Sequence, residues 1–88
     1  LAVDITLCDL RGDSLPMGTR VDAMTPLSHI DREAELVAAR RISRQAQLNR
    51  ELLRSVMQFA GFRPLRTEWW HFNFRTRAQA KKYYRVIE

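Results

Sequence analysis

Apolar and polar residues alternate over the first ten positions of the chain. One face of this segment carries Leu1, Val3, Ile5 and Leu7, and the other carries Ala2, Asp4, Thr6 and Cys8. A period of two residues is typical of a half-buried β-strand, so the pattern predicts a strand over residues 1–10. Asp4 is then expected on the face opposite the aliphatic side chains, and Cys8 is expected to be a small buried side chain.

A turn and a long irregular segment follow this strand. The Arg11-Gly12-Asp13-Ser14 sequence has the residue types of a turn. Pro16 then favours an irregular or edge segment, because proline cannot donate to a β-ladder. Residues 21–30 show no sustained period and are predicted to form a loop, a kind of segment that often carries functional residues.

Helical periodicity dominates the middle of the chain. Residues 32–41 are helix-prone, and a second helix is predicted to begin at Ser43 and to end at Gly61. The broad apolar face of this second helix contains Gln45, Leu48, Leu52, Leu53, Val56, Met57 and Ala60. It is the element that the sequence predicts most firmly.

The last third of the chain is rich in aromatic residues. Residues 65–75 contain two Trp and two Phe residues and predict a second strand. Thr76 could cap a helical turn that runs through Lys82, and residues 83–87 resemble a last short strand. The order strand, loop, helix, strand, strand indicates an α+β domain in which a small antiparallel sheet packs against one main helix.

Composition limits the classes of protein. The 88 residues have room for one domain at most. Fifteen basic against ten acidic residues give a net charge of +5, which suits either a solvated helix face, the interpretation we prefer, or a surface for phosphate. The single cysteine excludes an internal disulfide and a multi-cysteine zinc site. No run of about 18 apolar residues occurs, so no membrane span is predicted.

Three residues could form a hydrolytic metal site. Such a site needs a few anionic or neutral ligands and a nearby carboxylate that takes a proton from water. His71 and Asp4 could supply ligands, and Glu68 could supply the carboxylate. Residues 68 and 71 point to opposite faces of a regular strand, so a shared site requires a bulge, or requires Glu68 to lie on the turn that enters the strand.

Four motifs, in order along the chain, resemble those of the D-alanyl-D-alanine dipeptidases. They are Ala2-Val3-Asp4-Ile5-Thr6-Leu7; Met17-Gly18 with Asp22 and Ser28-His29; Asn49-Arg50 with Leu53, Met57 and Gly61-Phe62; and Glu68-Trp69-Trp70-His71. The resemblance covers most of the chain. It implies the hedgehog/DD-peptidase-like fold of the zinc D-Ala-D-Ala peptidases and a Zn²⁺ cofactor.

The same resemblance assigns roles to residues. Asp4 and His71 would bind Zn²⁺, Glu68 would be the general base, and Asp22 would bind the amino group of the substrate. The implied reaction is attack of a zinc-held water on the peptide bond of free D-alanyl-D-alanine, with Glu68 carrying the proton to the leaving amine. The other interpretation of Asp22 is a turn or helix-capping carboxylate.

The resemblance is incomplete at its N-terminal end. The third zinc ligand of the family is a histidine that would precede Leu1, and so would an arginine that stabilises the transition state in relatives. Residues 1–88 are therefore expected to be the C-terminal part of a single catalytic domain. A companion N-terminal segment, on the same chain or on a separate one, would supply the missing histidine; a degenerate relative is the remaining explanation.

Two other functions stay open from the sequence. One is a D,D-carboxypeptidase or endopeptidase of the same fold that acts on cell-wall peptides. The other is a basic nucleic-acid-binding module, which is less favoured because the arginines cluster on a helix and the aromatic residues on a strand. The expected partner is thus D-Ala-D-Ala or a related small peptide and not nucleic acid. A cytoplasmic location is expected, with the periplasm as an alternative, and a homo-oligomer is left open.

Overall fold

The computed structural model describes residues 1–74. Three strands, β1 (Ala2–Asp4), β2 (Phe62–Leu65) and β3 (Glu68–Phe74), form one antiparallel sheet in the order β1-β3-β2. Two helices, α1 (Glu33–Ala38) and α2 (Arg44–Phe59), follow two single turns of 3-10 helix at Pro26–Ser28 and Ile30–Arg32. The predicted α+β class with a small antiparallel sheet is confirmed.

The central strand β3 supplies most of the aromatic core. Trp69, Trp70 and Phe72 are buried, and they pack with Met17, Leu53, Met57 and Phe62. The rings of Trp69 and Trp70 meet edge to face, with centroids 5.5 Å apart and planes at 88°. Both tryptophans therefore lie in the core between the sheet and α2.

Helix α2 begins and ends as predicted. The Ser43 hydroxyl oxygen accepts a hydrogen bond from the backbone N–H of Ala46 at 2.9 Å, which caps the first turn. The chain leaves the helix through Gly61, whose φ of +95° suits only glycine at low cost. Helix α1 is shorter than predicted, since Arg40 with φ of +58° ends the helical backbone in the segment 32–41.

Helix α2 has one buried stripe, which includes two polar residues, and a separate exposed apolar stripe. The buried stripe consists of Ala46, Asn49, Arg50, Leu53 and Met57. The exposed stripe consists of Leu48, Leu52, Val56 and Phe59. We call the latter the α2 stripe. The single broad apolar face expected from the sequence is therefore only partly directed at the core.

The N-terminal strand is much shorter than predicted. The strand comprises Ala2–Asp4, with one further hydrogen bond to β3 from the Ile5 N–H to the Trp70 carbonyl at 2.9 Å. Residues 7–15 fold back on themselves, since the Leu15 N–H donates to the Leu7 carbonyl at 2.9 Å. Cys8 forms an isolated antiparallel β-bridge with Ser14 through the backbone. Its side chain is exposed, so the predicted burial of Cys8 is wrong. The alternation of apolar and polar residues continues past Asp4, where the pairing with β3 ends. A sequence pattern alone does not show where a strand loses its partner.

A hairpin replaces the single strand predicted over residues 65–75. Strand β2 precedes it, and a turn at residues 66–67 leads into β3. Pro64 is accommodated because β2 lies at the edge of the sheet, where a missing N–H costs no ladder bond. The predicted turn through Lys82 and the predicted strand at 83–87 lie outside the described residues. Within residues 1–74, no helix has the length and apolarity needed to cross a membrane.

Candidate active site

Asp4 and His71 are brought together by the pairing of two neighbouring strands. They are directly opposite each other in the antiparallel register of β1 and β3. The Asp4 Oδ1 atom lies 2.8 Å from His71 Nδ1. Both side chains remain partly accessible, so a ligand could reach them from solvent. Strand pairing thus joins the two residues that the sequence proposes as metal ligands from opposite ends of the chain.

The second nitrogen of His71 has a partner on the same strand. His71 Nε2 lies 3.3 Å from Asn73 Oδ1, two residues along β3. The side-chain amide of Asn73 can therefore orient the imidazole ring. On the other side of the ring, Nδ1 faces a carboxylate oxygen of Asp4 at 2.8 Å, a hydrogen-bond distance.

The donor set suits Zn²⁺. Imidazole nitrogen and carboxylate oxygen bind zinc at roughly 2.0–2.2 Å, which places two ligands of a tetrahedral ion about 3.3 Å apart. The separation of Asp4 Oδ1 and His71 Nδ1, 2.8 Å, would need to open by a small rotamer adjustment only. Within residues 1–74 no third histidine, cysteine or acidic residue joins the pair, so the described part of the chain offers two ligands.

Glu68 lies at the start of β3, next to an irregularity of the sheet. Pro64 pairs with Phe72, but the next residue of β2, Leu65, pairs with Glu68, so the three intervening residues of β3 have no partner on β2. Of the two alternatives that periodicity leaves for a shared site, the structure has the irregularity in the strand pairing, since Glu68 is the first residue of β3 and the turn is formed by residues 66–67. The contacts of the described residues include none between Glu68 and either Asp4 or His71.

Asp22 is exposed on the loop that follows Gly18. Its backbone φ is +70°, a left-handed conformation that is uncommon outside glycine but that aspartate adopts more readily than most residues. No hydrogen bond or ion pair of the described residues joins its side chain to another residue, which differs from the turn-capping interpretation of this carboxylate. The carboxylate is available to a ligand.

A chain of hydrogen bonds ties this loop to β3. The Trp69 Nε1–H donates to the Thr19 hydroxyl oxygen at 2.7 Å, and that hydroxyl lies 3.1 Å from the Ser28 hydroxyl. Ser28, fully buried, donates to the Ala23 carbonyl at 2.6 Å. One tryptophan of the Glu-Trp-Trp-His motif therefore holds positions on both sides of Asp22.

A cavity of about 330 Å³ lies between the loop and the sheet. Its walls include Thr6, Thr19, Val21 and Trp69. Trp69 of the Glu-Trp-Trp-His motif forms part of its wall, whereas Asp4 and His71 are not among the lining residues. Its volume is at the lower end of ligand sites, which suits a small molecule.

Sequence reasoning missed Arg50, Thr19, Ser28 and the polar contact of Trp69. Arg50 is completely buried, and burial lowers the pKa of its guanidinium, an effect that the neighbouring Glu33 carboxylate opposes. The sequence signal for a buried role was the position of Asn49 and Arg50 on the helix face that also carries Ala46, Leu53 and Met57. Polar residues at such positions need buried partners, and the partners are far away in sequence.

Comparison with known proteins adds evidence of kinship. Residues 1–88 match the family model described as D-ala-D-ala dipeptidase. A D-alanyl-D-alanine dipeptidase of Enterococcus faecium is 38% identical over 84 residues, which are 94% of this chain and 38% of that protein. One from Streptomyces coelicolor is 36% identical over 93% of the chain, and one from Escherichia coli is 39% identical over 81% of it. The chain spans less than two fifths of the length of these relatives.

Proposed function

The chain belongs to the D-ala-D-ala dipeptidase family, and from that membership we propose that the protein containing it is a zinc peptidase that hydrolyses D-alanyl-D-alanine. Asp4 and His71 are two zinc ligands, Glu68 is the general base, and Asp22 binds the amino group of the substrate. A segment upstream of Leu1 supplies the third ligand. Residues 1–88 are then the C-terminal part of the catalytic domain.

The Asp4–His71 pair is the observation that carries this proposal. Two potential acceptors face each other at 2.8 Å, and Asn73 engages the opposite nitrogen of the same imidazole. Zinc-binding histidines commonly donate their other N–H to an oxygen in this way, which fixes the tautomer and the orientation of the ring.

The residues divide the chemistry between them. Zinc, when bound, polarises the scissile carbonyl and makes water acidic enough to react at neutral pH. Glu68 accepts the proton of the attacking water and delivers it to the nitrogen of the leaving residue, so that one carboxylate serves as base and then as acid. Asp22 holds the ammonium group of the bound dipeptide and thereby fixes which carbonyl lies at the reacting position.

Substitution of Glu68 tests the chemistry. In the full-length protein, Glu68→Gln is expected to lower kcat for D-alanyl-D-alanine by about 10²–10⁴-fold, because the proton acceptor is lost. Its zinc content, measured by atomic absorption, should stay at the wild-type level, whereas Asp4→Asn should lose zinc. Glu35→Gln, on the exposed face of α1, is the matched control and should change neither quantity. Zinc-independent turnover, or full activity of Glu68→Gln, would refute the proposal.

A blocked substrate separates the dipeptidase from a D,D-carboxypeptidase or endopeptidase on the same fold. If Asp22 binds a free ammonium group, N-acetyl-D-alanyl-D-alanine should be hydrolysed far more slowly than the free dipeptide. Enzymes that act on longer cell-wall peptides have no free amine at that position. Equal kcat/KM values for the two substrates would therefore favour the cell-wall peptidases and remove the role of Asp22.

A further inference from the structure

Arg50 connects three separate parts of the chain from the middle of α2. Its Nε–H donates to the Met17 carbonyl at 2.7 Å, and its Nη2–H donates to the Leu27 carbonyl at 2.9 Å. The third direction of the guanidinium is taken by Glu33, with Nη1 3.5 Å from its carboxylate. The side chain is 0% exposed, so none of these contacts competes with water.

The two carbonyls are the ends of the loop that carries Asp22. Met17 and Leu27 are each five residues from Asp22. One guanidinium therefore fixes the distance between the two ends of this loop. The hydrogen-bond chain from Trp69 holds the interior of the same loop, and the Arg50 guanidinium lies 5.8 Å from the Trp69 ring centroid.

Close packing leaves the guanidinium little freedom. A Cβ atom added to Gly18 would lie 2.9 Å from Arg50 Nη2 and 2.9 Å from the side chain of Ile42. The backbone of the loop thus approaches Arg50 as closely as glycine allows. An apolar residue at position 50 would leave the Met17 and Leu27 carbonyls without their donors. The geometry of the five N–H donors is what an apolar residue cannot supply.

We propose that Arg50 is a positioning residue that sets recognition of the free amine of the substrate by clamping both ends of the Asp22 loop. The inference rests on the proposed function, in which Asp22 binds that amine. Asp22 has a left-handed backbone, an uncommon conformation for a residue with a side chain, and both flanks of the loop are held by Arg50. Release of the loop ends allows Asp22 to relax to an ordinary conformation, and its carboxylate then leaves the amine position.

Arg50→Lys in the full-length protein is the central variant. Lysine retains the charge beside Glu33 but has all its donors on one nitrogen, so it cannot bridge two carbonyls and a carboxylate. The ratio of kcat/KM for D-alanyl-D-alanine to that for N-acetyl-D-alanyl-D-alanine should fall by about tenfold or more, the loss of one charged contact. The fall should come from a higher KM for the free dipeptide.

Arg54→Lys is the matched control. Arg54 lies one turn later on α2 and donates to the same Glu33 carboxylate at 3.0 and 2.6 Å, but it makes no contact with the loop. Its substitution perturbs the buried ion pair to a similar degree and should leave the ratio within about twofold of wild type. Asp22→Asn should lower this ratio of kcat/KM values as Arg50→Lys does. The double variant should lower it no further than either single substitution.

Proteolysis provides a readout that does not depend on activity. Arg20 is exposed within the loop, and trypsin should cleave after it faster in Arg50→Lys than in wild type or Arg54→Lys. If Arg50→Lys does not fold, Gly18→Ala presses on the same guanidinium, and Gly12→Ala, also at positive φ but with open space around it, is its control. Gly18→Ala should then lower the substrate ratio and Gly12→Ala should not.

The outcomes separate the inference from the proposed function. Equal loss of kcat for both substrates, with an unchanged ratio and unchanged cleavage at Arg20, would make Arg50 merely structural and overturn the inference while the peptidase stands. A wild-type protein without dipeptide turnover would refute the proposed function instead. In that case faster cleavage at Arg20 in Arg50→Lys would still demonstrate the clamp, and equal cleavage would overturn it.

Discussion

The two tryptophans at positions 69 and 70 are neighbours in sequence but differ in their polar contacts. Trp69 donates its indole N–H to the Thr19 hydroxyl at 2.7 Å. The indole N–H of Trp70 is buried and has no hydrogen-bond partner within residues 1–74. Both rings are buried in the same core, so their apolar contributions are similar. The difference between them is therefore the polar link to the Asp22 loop.

Substitution by phenylalanine separates that link from packing. Trp69→Phe and Trp70→Phe remove similar volumes, but only Trp69→Phe breaks a hydrogen bond. We expect Trp69→Phe to lower the free energy of unfolding by about 1 kcal/mol more than Trp70→Phe does. Urea denaturation of both variants measures the difference. A larger loss in Trp70→Phe would mean that its N–H finds a partner beyond the described residues.

At the scale of single residues, the sequence predicts chemistry better than contacts. Asp4 and His71 are the potential ligands in both the sequence and the structure, where they lie side by side. The bond from Trp69 to Thr19 spans fifty residues. No periodicity encodes a contact between two particular side chains at that separation, because local patterns report only which face a residue occupies.

Helices α1 and α2 are joined through one buried carboxylate. Glu33, in the first turn of α1, accepts from Arg54 at 3.0 and 2.6 Å and lies 3.5 Å from Arg50. Its side chain is almost completely buried. An acidic residue in the first turn also suits the helix dipole. One carboxylate of a short helix thus pairs with two cations of a longer one.

Removal of this charge should be costly. Glu33→Gln leaves two arginines without a counter-ion in a buried place, and we expect it to lower the free energy of unfolding by about 3–5 kcal/mol. Asp31→Asn is the control, because Asp31 forms an exposed pair with Arg66 at 3.3 Å; it should cost less than about 1 kcal/mol. Thermal denaturation of both variants compares them, and similar losses would contradict the role of Glu33.

At the scale of elements, long helices and strands are predicted more accurately than short ones, because a longer periodic pattern of apolar residues is easier to identify. Helix α2, with sixteen residues and a Ser cap, was predicted with nearly correct ends. Strand β2 has four residues and contains Pro64, so neither alternation nor propensity identifies it. Strand β1 was predicted too long because an alternating sequence does not reveal where its partner strand ends. The bulge in β3 was inferred only as a requirement of the site.

The whole chain presents an apolar surface that its described residues do not cover. The α2 stripe is continuous along the helix, with Leu52 54% exposed, while the adjacent Leu53 is 1% exposed. Exposed apolar patches of this kind commonly mark contact surfaces. The relatives are more than twice as long as the part that the chain matches.

These two leucines provide a matched comparison in the full-length protein. Leu53→Ala should lower the free energy of unfolding by about 2–5 kcal/mol, because it opens a cavity in the aromatic core. Leu52→Ala should cost less than about 1 kcal/mol, because its side chain is half in water. Chemical denaturation measures both. An equal loss for Leu52→Ala would show that another part of the protein covers the α2 stripe.

The edge-to-face contact of the two indole rings has an optical consequence. Trp69 and Trp70 are the only tryptophans in the chain, and their ring centroids are 5.5 Å apart. Transition dipoles at that distance couple, and a coupled pair produces an exciton doublet in the far-ultraviolet circular dichroism. This doublet depends on the geometry of residues 69 and 70 alone, which lie between Glu68 and His71 on β3. Light absorbed by the tryptophans of this chain is therefore absorbed in the strand segment that separates Glu68 from His71.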